Sequence, residues 1–178
     1  RLSRLSERLM QLARAEGGRL RLDQPADLRP VARILVDDFT RSANAGPISL
    51  SLPETPVMSD LDPDAFGILC RNLIENAQRH GTPGRCIDVT LTSDGGLIVA
   101  NDGPIVPPKV LARLTTRFER GDGRADGSGL GLAIVAAIAE RIESTLVLHS
   151  PRSNATTGFE ARMTLPTDHP PLVRHDTL

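Results

Sequence analysis

Arg71-Asn72-Leu73-Ile74-Glu75-Asn76-Ala77-Gln78-Arg79-His80-Gly81 is the stretch on which the reading of this chain turns. It continues a helix opened by Asp62-Pro63, a capping residue followed by proline at the first helical position. Phe66, Leu69, Cys70, Leu73, Ile74 and Ala77 fall on one stripe of that helix. Asn72, Asn76, Arg79 and His80 fall on another side, centred roughly 100° away. Such a helix buries one face and offers carboxamides and cations on the other. A side-chain amide oxygen is a hard, neutral ligand that suits Mg²⁺ sharing its shell with water and phosphate. Arg79 has the fork geometry for phosphate. His80 is either a contact for ribose or base, or a solvent-exposed histidine at a helix end.

A second stretch, Gly127-Ser128-Gly129-Leu130-Gly131-Leu132-Ala133-Ile134-Val135, reads as a glycine loop running into a helix over 131–142. Gly127, Gly129 and Gly131 allow close approach of a phosphate chain, and a helix start offers free N–H groups to an anion. It is not a P-loop, because the only lysine, Lys109, follows Pro107-Pro108. Nor is it a dinucleotide fingerprint, because a polar loop, not a strand, precedes the glycines. Between the two stretches, Leu97-Ile98-Val99-Ala100 runs as a strand into Asn101-Asp102-Gly103-Pro104. A polar side chain at such a strand end is an acceptor for an exocyclic amine.

The remaining elements follow from periodicity. Leu2, Leu5, Leu9 and Leu12 recur at steps of three and four until Gly17-Gly18. This is either a helix packed on its own domain or the end of a dimerising coiled coil, the reading preferred here. Residues 27–45 read as a helix, 48–52 as a strand, and 86–92 and 97–101 as a hairpin turning at Asp94-Gly95-Gly96. A short helix is expected near 108–114, strands at 145–149 and 159–165, and a frayed tail at 167–178. The sum is an α+β fold, a mixed sheet covered by helices on one face.

Bulk properties narrow the classes. The 178 residues carry a net charge of -1, which argues against a general nucleic-acid binder. No apolar run approaches the ~18 residues of a membrane span, and no signal-peptide pattern opens the chain. A start at Arg1 rather than Met suggests a piece of a longer protein. Cys70 and Cys86 form no metal-ligand spacing with histidine and point to a reducing compartment.

In this order the motifs resemble the catalytic ATP-binding domain of sensor histidine kinases, in the wider family shared with DNA gyrase, Hsp90 and MutL. Residues 71–77 look like the N box and 101–105 like the first glycine box. Arg117-Phe118-Glu119-Arg120 looks like the F box, and 127–132 like the second glycine box. The likeness covers about Arg21 to Pro166. It implies a Bergerat-type two-layer α/β sandwich over 19–166, preceded at 1–18 by the end of a second dimerisation helix. It implies Asn76 as the Mg²⁺ ligand, with Asn72 beside it at the catalytic centre. ATP contacts are implied at Arg79, His80, Asn101, Asp102, Gly103, Ile105, Gly127, Gly129, Leu130, Gly131 and Leu132. Arg117 and Arg120 are implied to offset charge on the phosphoryl group in transfer. A lid is expected at about 120–128.

The chain departs from the family pattern in places. Arg79 stands where lysine is usual and His80 where tyrosine is frequent. The first glycine box is Asp-x-Gly-x-Gly in the family but Asn101-Asp102-Gly103-Pro104-Ile105 here. Asn101 is preferred to Asp102 as the reader of adenine N6. ATPase relatives carry a glutamate base at the position of Asn72, and an amide cannot deprotonate water. Transfer to an acceptor outside the chain is therefore expected rather than hydrolysis. The family's acceptor motif, His-Glu/Asp-x-x-x-Pro, has no counterpart: His80, His149 and His169 lack a following acid, and His175-Asp176 lies at the end. The resemblance implies transfer from Mg-ATP to helices of the same homodimeric parent, relay to a response regulator, no nucleic-acid partner, and a cytoplasmic position beneath an inner-membrane sensor. The rival readings are a related ATPase and a nucleotide- or partner-binding module without transfer.

Overall fold

Helices cover one face of a mixed sheet, as the apolar pattern predicts. The computed structural model describes residues 2–41, 46–115 and 130–167. The helices are α1 (Leu2–Gly17), α2 (Arg29–Arg41), α3 (Pro63–His80), α4 (Pro108–Leu111) and α5 (Gly131–Arg141). The strands are β1 (Arg21–Asp27), β2 (Ile48–Ser51), β3 (Met58–Leu61), β4 (Ile87–Leu91), β5 (Gly96–Asn101), β6 (Val147–His149) and β7 (Phe159–Thr164). The main sheet has the order β2-β4-β5-β7-β6, with β2 parallel to β4 and every other pair antiparallel.

Side chains alternate across this sheet with a period of two. The rows Leu91-Leu97-Met163 and Val89-Val99-Ala161 face the helices and are buried. The next row on that face is Ile87-Asn101-Phe159, equally buried. Register therefore puts the Asn101 side chain on the helix side and sends Asp102 to the opposite one. α3 lies across β4 and β5, with α2 and α5 packed on its flanks. Its apolar stripe is the expected one, buried from Phe66 to Ala77. Asp62 caps it as the sequence predicts, its carboxylate accepting from Asp64 N at 2.8 Å and Ala65 N at 3.1 Å.

Two strands went unread. β1 and β3 form a separate antiparallel ribbon. β1 is polar, contains Pro25, and shifts register between Arg21 and Ala26, so it shows no clean alternation. Its last residue, Asp27, reads from the sequence as the start of the following helix; α2 instead begins at Arg29. The Asp27 carboxylate turns the chain there, accepting from Arg29 N and Val57 N, both at 3.1 Å, and from the Arg29 guanidinium at 2.9 Å. Partial burial raises its pKa, but these bonds and the Arg29 charge outweigh that and hold the carboxyl below its ordinary value. A depressed native pKa means stability present at neutral pH and lost as pH falls through it. Asp27→Asn is expected to cost about 1 kcal/mol at neutral pH. That difference should shrink towards pH 3, below the ordinary aspartate value of about 3.9. Urea unfolding at the two pH values measures it; a constant difference would contradict the assignment.

The second half of α1 is seated on α5. Leu12 and Ala15 join the core, while Leu9 and Met10 are exposed. Arg141 closes the helix end, donating to Ala15 O at 2.8 Å and Gly18 O at 2.7 Å.

Candidate functional site

The end of α3 meets the end of β5, and a cleft of about 170 Å³ opens beside them. Its walls are Ala77, Gln78 and Gly81, the segment 82–87, Gly46, and Asn101 with Asp102. The junction is fixed by main chain: Gly81 N donates to Ala77 O at 2.8 Å, and Thr82 N to Asp102 O at 2.8 Å. Gly81 has ordinary extended backbone, with φ -73° and ψ 165°. What it supplies is room. A Cβ there would sit 2.5 Å from Ala77 O and 3.2 Å from Asn101 Nδ2. At Gly103 a Cβ would lie 3.2 Å from His80 O and 3.4 Å from the same amide nitrogen.

Asn101 is the polar group at the back of this cleft, only 3% exposed. Its Nδ2 donates to Asp102 O at 3.0 Å. A carbonyl only accepts, so this bond fixes which way the amide points. Oδ1 receives no donor among the described residues. An amide oxygen with an open lone pair on an otherwise buried side chain is an invitation to an N–H donor. Asp102 takes the other side of the strand end. Its carboxylate faces Arg152 at 3.4 Å, and Arg152 also binds Asp88 at 2.6 Å. The geometry therefore favours Asn101 over Asp102 as a reader of an amine in the cleft.

The other sequence-selected residues spread outward from here. Asn76 is half-buried on the turn of α3 just before the cleft-lining Ala77, and Arg79 and His80 are exposed at the helix end. Asn72 is 1% exposed and turned towards α1, its Nδ2 donating to Ile68 O at 2.8 Å and Gln11 Oε1 at 3.3 Å. The helical wheel grouped it with Asn76 but did not reveal that α1 covers that position. Leu130 and Leu132 are buried in the core, and Gly131 opens α5, which packs on α3. Ile105 is exposed. Arg117, Arg120, Gly127, Gly129 and the expected lid lie outside the described residues, as does the tail beyond 167.

Some of the cleft was not foreseen. Gln78, Thr82, Arg85 and Cys86 line it, and no periodic or motif signal marks the segment between helix and strand. Gly81 did carry a signal, a glycine directly after a helix, which ordinarily marks a left-handed cap. Here the reason is close approach of Asn101 instead. The two thiols differ: Cys86 borders the cleft, whereas Cys70 is 2% exposed and burial pushes its thiol up, out of the reactive range. Among the described residues no group of three or more His, Cys, Asp and Glu side chains is arranged to hold a metal, and no helix is long and apolar enough to cross a membrane. A cation here would depend on an amide oxygen and on oxygens of its own ligand.

The chain belongs to the family of histidine kinase-, DNA gyrase B- and HSP90-like ATPases, which it matches over residues 61–169. Sensor protein QseC of Escherichia coli (strain K12) is 36% identical over 151 residues, covering 79% of this chain and 32% of that protein. The probable sensor histidine kinase TcrY of Mycobacterium tuberculosis is 33% identical over 175 residues, 93% of this chain and 36% of that one. The chain thus spans about a third of the length of these curated relatives. Among solved structures, the Acinetobacter baumannii histidine kinase AdeS superposes with a TM-score of 0.69 at 25% identity, covering 94% of this chain and 79% of that one. A mycobacterial sensor histidine kinase, MprB, gives 0.70 at 24% identity, over 81% and 98%, and supports the fold. The expected α+β sandwich and the family resemblance both hold.

Proposed function

We propose that this chain is the ATP-binding catalytic domain of a sensor histidine kinase. In the whole protein it moves the γ-phosphoryl of Mg-ATP to a histidine on a dimeric helical bundle, for relay to a response-regulator aspartate. The observation that carries this reading is the open Oδ1 of buried Asn101 at the back of a cleft, within a chain of this ATPase family. Adenine presents a 6-amino donor to that oxygen, and guanine presents a carbonyl there. Gly81 lets the Asn101 amide sit close against the helix end. Arg79 and His80, at the end of the same helix, lie on the way out towards the phosphates.

The donor set near the cleft fits Mg²⁺. Asn76 offers a hard, neutral oxygen one turn from the base site, and a triphosphate brings the remaining charge. Bound Mg²⁺ supplies neutralisation of phosphate oxygens. The chain's own residues hold the base, align the triphosphate and exclude water, so their contribution is positioning and electrostatic stabilisation. Asn72 is an amide, not a base, and is turned towards Gln11. This favours transfer over hydrolysis. α1, with Leu9 and Met10 exposed, is then the end of the helix leading to the bundle.

Two measurements test the reading. Maleimide is expected to label Cys86 and spare Cys70 in the native chain. Mg-ATP should slow the Cys86 reaction roughly tenfold when it stands at about ten times its Kd. Unchanged labelling would place the nucleotide elsewhere. With γ-labelled ATP, label should appear only on an added bundle fragment carrying the acceptor histidine. Label on this chain alone, or steady phosphate release without the bundle, would favour the rival readings.

A further inference from the structure

Behind the cleft, on the outer face of the sheet, residues 150–158 form a loop that touches none of the cleft's interior yet is knitted to the strand end that shapes it. Ser150 Oγ donates to Gly158 O and accepts from Val106 N, both at 2.8 Å. Gly158 N donates to Gly103 O at 2.8 Å. Gly158 has φ 90°, and a Cβ there would stand 2.5 Å from Asn101 O and 3.0 Å from Arg152 Cδ. The loop is thus pressed against the backbone of Asn101. Ser153 anchors it on the sheet through buried Glu160, donating from N at 3.3 Å and from Oγ at 3.0 Å. Arg152 reaches further. Its side chain is 22% exposed, and its guanidinium joins Asp88 on β4 to Asp102 at the end of β5.

Asp102 is the pivot of the base site. Its carbonyl accepts from Thr82 N and from Asn101 Nδ2. The direction of the Asn101 amide therefore depends on where the Asp102 peptide sits, and Arg152 holds the Asp102 side chain from behind. We infer that Arg152, on the 150–158 loop, is a positioning residue for base recognition. By clamping Asp102 to Asp88 it keeps the Asn101 amide turned with its oxygen, not its nitrogen, to the cleft. A carboxamide released from that bond can rotate and present either group. Then a 6-amino and a 6-oxo purine are received alike. The inference rests on the nucleotide reading above and adds a determinant of its selectivity outside the pocket.

The test compares binding of Mg-ADP and Mg-IDP, which differ in the amino or oxo group at position 6 and in the proton that the oxo form carries at N1. The native chain should prefer ADP. Arg152→Leu is expected to reduce that preference about tenfold, the size of one hydrogen bond to a buried acceptor. Competition by tripolyphosphate, which has no base, should stay unchanged. Arg152→Lys keeps the charge and stem but cannot reach two carboxylates in a fork, so it should fall between, and it serves should the leucine variant not fold. Ser153→Ala loosens the same loop without touching Asp102 and should keep the native preference. A native chain that binds neither nucleotide would defeat the nucleotide reading itself. A native preference left intact by both Arg152 variants, or lost equally in Ser153→Ala, would overturn the inference while leaving that reading standing.

Discussion

Gly81→Val is expected to abolish most nucleotide binding while leaving a folded chain. Even one added carbon at this position lies 2.5 Å from Ala77 O and 3.2 Å from Asn101 Nδ2, well inside contact distance. The φ of -73° is open to any residue, so the penalty is one of space, not of backbone conformation. Overpacking of this kind costs about 1–3 kcal/mol of stability. The larger effect falls on the cleft, because valine's branches occupy it and push the Asn101 amide from its seat. Affinity for Mg-ATP should fall roughly a hundredfold, about 2.7 kcal/mol. Calorimetric titration and urea unfolding measure the two parts. A valine variant that binds as the native chain does would show that the cleft is not the base site.

Asn101→Leu comes next in size. Leucine keeps nearly the volume but removes the open amide acceptor of Asn101. The base then buries an unpaired amine, at a cost of about 1–3 kcal/mol, or roughly ten- to a hundredfold in affinity. Stability should change little, since Asp102 O keeps the Thr82 N donor at 2.8 Å. Asn101→Asp restores an acceptor but sacrifices the donor to Asp102 O and sets a carboxylate against that carbonyl. It should bind more weakly than asparagine and better than leucine. Equal binding by all three would remove Asn101 from recognition, and tighter binding by the leucine variant would point to a purely apolar pocket.

Legibility in the sequence divided along physical lines. α3 was readable because three independent signals agree: the Asp62-Pro63 start, the apolar stripe, and Gly81 after the end. β4 and β5 were readable because the buried positions alternate through Asp94-Gly95-Gly96. β1 was not, because none of its residues is fully buried, and β3 was not, because it is four residues long and one of its two buried positions is the polar Ser59; Asp27 also mimics a helical residue while serving a turn. In the site, Asn101 could be named from its place at a strand end. The frame of the first glycine box already favours it over Asp102, and register adds the physical reason, setting the two side chains on opposite faces. The turn of Asn72 towards α1 and the brace at Arg152 depend on contacts with Gln11, Asp88 and Asp102, distant in sequence, and no local pattern announces them.

A base site at Asn101 joined to a cation site at Asn76 sets what a titration of the chain with ATP and GTP, with and without Mg²⁺, must show. ATP should bind, Mg²⁺ should tighten it, and Asn76→Ala should erase that gain; GTP should bind at least about tenfold more weakly. ATP binding indifferent to Mg²⁺, or GTP bound as well as ATP, would mean that Asn76 and Asn101 do not form such a site.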